Sequence, residues 1–316
     1  MDACLPELTL ETFVQHPLHA SERIWGETNC YLDLWIELLH ALKLDPRAAM
    51  GFAARQNFEG DQFTFTKFDL RDLETLFGLT VQELAIFDPV EIHVSRQMAR
   101  GRICLIEVDP YYLPDTGVAA YRRRRGKTTI AINRIDFSSR RLEYFHNAGY
   151  FALQGEDFDG LFEPASTEAP LRPYVEFVRL TPERLDEKVL RARALEAFQY
   201  HWTRRPRTNP IQTFQAVLAQ QAALAVTEQR FHDFAFHSLR LLGANFELLG
   251  SAIEWLYGAS DARITACMRL AETVKAAQFT AARAIAKRRF DDLPAVLNGA
   301  SQAWDEVFAR APARAA

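Results

Sequence analysis

The sequence predicts an α+β protein with an added helical domain, and three observations carry that reading. A strongly apolar helical pattern follows Cys30, with Leu32, Trp35, Leu38, Leu39 and Leu42 on one face. Several short, β-rich runs follow between residues 100 and 180. From about Thr181 no strand pattern recurs, and Ala, Leu, Glu, Gln and Arg dominate. The domains expected are therefore residues 1–180, a helix packed on a mostly antiparallel sheet, and residues 181–316, a helical bundle.

The elements follow in chain order. Thr28 and Asn29 are capping residue types, so Cys30 should open the first helix. FTFTK (63–67) reads as a strand, and DLRDLETLFGL (69–79) as an amphipathic helix. PVEIHVSRQMARG (89–101) is a second helix stopped by Gly101. RICLIEVDPYYLP (102–114) is a buried strand ending at Asp109 in a turn. KTTIAINRID (127–136) and RRLEYFHNAG (140–149) form a hairpin through Phe137, Ser138 and Ser139, and RPYVEFVRL (172–180) is a last strand. In the second half Thr181 should cap a helix with Pro182 at its first position. Helices are then expected over 209–226, 228–257 with a bend near Gly243 or Gly250, 260–289 and 292–310, before a frayed PARAA tail.

Composition narrows the function. With 316 residues, 48% hydrophobic, 25% charged and a net charge of −4, the chain can bury a large core and lacks the basic excess of a nucleic-acid binder. No apolar run reaches the ~18 residues of a membrane helix, and the acidic start lacks the order of a signal peptide. The four cysteines (Cys4, Cys30, Cys104, Cys267) are far apart with no CxxC pair. Neither a disulfide framework nor a structural metal site is expected, and a cytoplasmic location is.

The chemistry turns on Cys30. At a helix start, unpaired backbone N–H groups and the dipole favour an anion, which for cysteine is the thiolate. The plain alternative is a small residue packed under the helix. Cys104, within an apolar strand, reads as a buried inert thiol. His201, His232 and His237 have no mutual metal-ligand spacing. A cysteine-headed helix followed by an antiparallel sheet is the chain order of papain-like enzymes, where a strand histidine is the base and an Asn or Asp orients it.

ETNCYLDLWIELL, VDPYYLPDT, YRRRRGKTTIAI and YFHNAGYFALQGEDFDGLF resemble a bacterial domain-of-unknown-function family, number 1839. That family is distantly similar to the papain-like N-terminal domain of the butirosin-biosynthesis acyltransferase. The resemblance implies a papain-like fold and transfer of an acyl or aminoacyl group from a carrier-protein thioester through Cys30. No cofactor is implied beyond the carrier's phosphopantetheine arm. The partners implied are an acyl or aminoacyl carrier protein and an unidentified acceptor, with neither nucleic acid nor membrane. A catalytically silent carrier- or pantetheine-binding protein is the alternative of another class, and a cysteine peptidase or amidase is a third.

The pattern has one break. It expects a histidine at the opening of the hairpin's first strand, where this chain reads Arg122, Arg123, Arg124, Arg125, Gly126, Lys127, Thr128. A guanidinium cannot act as base near neutral pH. His146 is then the candidate base and Asn147 the orienting residue, which requires a bulge or turn at 147–149, because neighbours on a strand face opposite ways. Glu27 and Asn29 beside the thiol, Asp109 and Asp115 flanking the Pro-rich turn, and Arg123, Arg125 and Lys127 as phosphate ligands complete the candidate site. The oxyanion donor is unassigned, since Ile24 and Trp25 stand where papain-like enzymes carry a glutamine.

Overall fold

The computed structural model describes residues 2–162, 173–180, 184–225 and 227–311. It is α+β, and it divides into two compact units. The first comprises residues 1–17, 29–45 and 73–184; the second comprises 18–28, 46–72 and 185–316. The change of unit near residue 184 falls where the sequence pattern changes. Two N-terminal segments, residues 18–28 and 46–72, are grouped with the helical unit. The reason is local packing: the Glu247 carboxylate takes the Ile24 and Trp25 amides, and Trp25 Nε1 donates to the Ala271 carbonyl at 3.1 Å.

The first unit is built on an antiparallel sheet. Its strands are β1 (Asp2–Ala3), β2 (Thr80–Glu83), β3 (Arg102–Val108), β4 (Thr128–Asp136), β5 (Arg141–His146), β6 (Gly149–Gln154) and β7 (Val175–Arg179). They run in the order β2-β7-β3-β4-β5-β6, with β1 also paired to β4. Helix α1 (Cys30–Ala41) packs on β4 and β5. Asn29 caps it, its side chain accepting from the Leu32 amide at 3.0 Å. Leu32, Leu34, Trp35, Ile36, Leu38 and Leu39 are buried, each adding about 1.5–3 kcal/mol of apolar burial. The opposite face of the sheet carries its own core, in which Ile106, Ile130, Ile132 and Tyr144 meet Val94 and Met98 of α2 (Val90–Met98) and Phe158 and Leu161 of the later helix Glu156–Phe162.

Several element expectations are corrected. Residues 63–67 form no strand; Phe63 makes only an isolated bridge to Phe58, and its ring packs on Phe58 and Phe214 in an aromatic cluster. Strand β6 follows β5 through a two-residue turn at Asn147–Ala148, a second hairpin hidden by the continuous apolar run. In the helical unit, Asp186 caps the helix Glu187–Trp202, while Thr181 and Pro182 lie outside the described residues, as does the PARAA tail. The long helix over 228–257 is interrupted by a π-helical turn, Phe236–Arg240, rather than bent at Gly243 or Gly250.

Candidate functional site

Sheet register decides which side chains meet. Glu176 lies opposite Leu105, Leu105 opposite Ala131, and Ala131 opposite Phe145, so all four share one face. The Tyr31 hydroxyl, in the first turn of α1, donates to Glu176 at 2.8 Å. The Phe13 ring packs on Phe145, and the His16 amide donates to Glu37 of α1. Helix α1 and its Cys30 therefore belong to the Phe145 face. His146, the next residue along β5, points to the other face. The sheet thus stands between Cys30 and His146 and does not bring them together. On α1's face β4 and β5 present Thr129, Ala131, Phe145 and Glu143, and the Glu143 carboxylate is paired with Arg134 and Arg141.

His146 has partners of its own. Its Nδ1 lies 2.5 Å from Asp115 Oδ2, and its Nε2 lies 2.8 Å from Thr128 Oγ1. Asp115 Oδ1 accepts from the Tyr144 hydroxyl at 2.5 Å. His146 is 2% exposed and Thr128 7%. Burial first, and then the charge of Asp115, pushes the Tyr144 phenol well above its usual range, so it stays protonated and donates. With Asp115 accepting from Nδ1–H, Nε2 is left as the acceptor for the Thr128 hydroxyl. A hydroxyl, an imidazole and a carboxylate in this connectivity form a nucleophile–base–orienter relay. Thr128 opens β4 immediately after the exposed Lys127 and is itself buried.

The remaining candidates fall in separate places. Asn147 occupies the left-handed first position of the hairpin turn, with φ +47°, and the group on His146 Nδ1 is Asp115 rather than Asn147. Asn29 is the α1 cap. Glu27 belongs to the helical unit and is held there by Arg240 at 2.6 Å. Cys30 is half-buried, and its thiol makes no hydrogen bond among the described residues.

The basic run is largely neutralised within the chain. Arg125 pairs with Asp109 at 3.0 Å and lies over the Tyr111 ring, while Lys127 pairs with Glu107 at 2.7 Å. Arg122 pairs with Asp157. Arg123 is exposed and has no ion pair among the described residues. Sequence reasoning missed Thr128 and Tyr144. Period-2 alternation along β5, which sets Tyr144 and His146 on one face, was the available signal. Burial pushes the Cys104 thiol up to about 12, and it raises Cys267 further.

The DUF1839 N-terminal domain matches residues 14–180, and the DUF1839 C-terminal domain matches residues 187–311. The chain belongs to the DUF1839 family. No curated protein matches it. The two domain matches meet between residues 180 and 187, beside the change of unit at 184. Among the described residues, no helix is long and apolar enough to cross a membrane.

Proposed function

We propose that this DUF1839 protein transfers acyl groups through an ester on Thr128, with His146 as general base and Asp115 orienting it. The observation that carries this reading is the pair of hydrogen bonds on the His146 ring, 2.8 Å to Thr128 Oγ1 and 2.5 Å to Asp115 Oδ2. In the first step the Thr128 hydroxyl gives its proton to Nε2 as Oγ attacks the acyl carbonyl carbon. The carbon–sulfur bond of a thioester donor breaks, and the leaving thiolate takes the proton from Nε2. In the second step His146 Nε2 takes the proton of an acceptor amine or hydroxyl as it attacks the ester carbonyl, the Thr128 C–O bond breaks, and Nε2 returns the proton to the departing Thr128 oxygen.

A carrier-protein thioester as donor, with its phosphopantetheine arm, follows from the resemblance to the butirosin acyltransferase. The helix-then-antiparallel-sheet order supports a papain-like ancestry on the same footing. A thioester on Cys30 is a second reading, favoured by the half-exposed position of that thiol at the start of α1. Incubation with an acyl N-acetylcysteamine thioester, followed by peptide mass mapping, separates the readings. Acyl mass on the Thr128 peptide supports the relay, acyl mass on the Cys30 peptide alone overturns it in favour of the cysteine, and no acyl mass leaves a silent carrier-binding protein as the better description.

A further inference from the structure

The helical unit contains a cavity of about 370 Å³ that the acyl-transfer reading does not use. It is lined by residues just past the helix Glu187–Trp202 and by the end of the helix Asn298–Phe308, among them Arg205, Arg207, Trp304, Asp305 and Phe308. Arg207 and Asp305 are exposed, so both charged groups are open to a ligand. Neither makes an ion pair among the described residues, although they line the same cavity. The cavity therefore holds a guanidinium and a carboxylate apart.

Both charged sides are anchored by groups that leave part of each free. Asp305 Oδ1 accepts from Asn209 Nδ2 at 3.1 Å, and the same nitrogen donates to the Ser301 carbonyl at 2.8 Å. Asn209 is buried and caps the helix Pro210–Leu224, so the carboxylate is aimed from a fixed point. Asp305 Oδ2 makes no hydrogen bond among the described residues. On the other side Arg205 is half-buried, and its Nη1 donates to the Trp202 carbonyl at 2.9 Å. Its guanidinium lies 5.6 Å from the centres of the Trp202 and Phe308 rings, while its Nη2 makes no hydrogen bond among the described residues.

We propose that this cavity binds a free α-amino acid with an apolar side chain. The ligand carboxylate meets Arg207 and Arg205 Nη2, its ammonium meets Asp305 Oδ2, and its side chain rests on the parts of Trp304 and Phe308 that line the cavity. An anion alone would face the Asp305 charge, and a cation alone would face two arginines, so only a molecule with both charges matches both sides. A volume near the lower end of the about 300–1,000 Å³ usual for ligand sites suits a molecule of this size.

Calorimetric titration of the full-length chain tests the assignment, with L-phenylalanine, N-acetyl-L-phenylalanine and L-phenylalaninamide as probes. Phenylalanine is expected to bind about fivefold or more tightly than either derivative, because the first lacks the ammonium and the second the carboxylate. Arg207→Gln and Asp305→Asn should each weaken phenylalanine by a similar factor. Arg207 has no partner to lose, and Asn at 305 keeps the acceptor for Asn209, so unchanged melting temperatures are expected for both variants. Equal affinity for the three probes, binding of none of them, or indifference of phenylalanine to either substitution overturns it.

Discussion

Replacing Asp115 by alanine removes one acceptor group from two buried donors at once. The Tyr144 hydroxyl and His146 Nδ1 each lie 2.5 Å from the carboxylate, whose side chain is 4% exposed, so water has little room to take its place. Each orphaned donor costs about 1–3 kcal/mol, and Asp115→Ala should therefore destabilise the protein by about 2–6 kcal/mol. Tyr144→Phe removes one donor and leaves the His146 pair intact, at an expected cost of ~1 kcal/mol. In the double variant the tyrosine no longer has an unpaired hydroxyl. The two changes should then sum to less than their separate effects, by about 1 kcal/mol or more. Guanidinium denaturation with linear extrapolation measures all three. A loss below ~0.5 kcal/mol for Asp115→Ala, or strict additivity, would refute the shared-acceptor arrangement.

Other outcomes follow from individual groups. Iodoacetamide at neutral pH should label Cys30 and leave Cys104 and Cys267 unmodified, since both of the latter are buried and their thiols are held protonated; mass mapping showing Cys104 labelled first contradicts this. Hydrogen bonds from Ser138 and then Ser139 lower Asp136 to about 2, so the stability its carboxylate contributes is present above the ordinary carboxyl value and is lost as pH falls from about 4 towards 2. A carbon-detected NMR titration should find that midpoint, and Ser138→Ala should raise it; a parent midpoint near 4 contradicts the geometry. A Cβ at Gly243 would overlap the Trp25 indole, so Gly243→Ala should cost about 1–3 kcal/mol in thermal or chemical unfolding.

Much of the fold was legible because it rests on local patterns. The α1 face, the β4–β5 hairpin and the helical second half follow from periodicity and capping residues. Strand β6 was hidden because YFHNAGYFAL is nearly continuous in apolar character, and only the left-handed turn at Asn147 divides it. FTFTK has strand propensity, yet its phenylalanines pack in clusters without a partner strand.

The site was less legible because it depends on which face of the sheet a residue takes. On sequence alone His146 is offered as the base for Cys30 because the histidine of the family pattern is missing, whereas register sets the two on opposite faces. The Asp115 carboxylate reaches His146 from a Pro-rich turn 31 positions earlier in the chain, a contact that no local periodicity encodes. The arginine run read as a phosphate site, but Asp109, Asp157 and Glu107, scattered along the sequence, supply its counter-charges.

The central claim is that His146 acts as the base for acyl loading of Thr128. Single-turnover loading from an acyl thioester, compared between the parent and His146→Ala, tests it most directly. The account predicts a rate about 10²-fold or more lower in the variant, the usual scale of a general-base contribution, together with loss of the ester in Thr128→Val and its retention in Cys30→Ser. Loading at the parental rate in His146→Ala would contradict it.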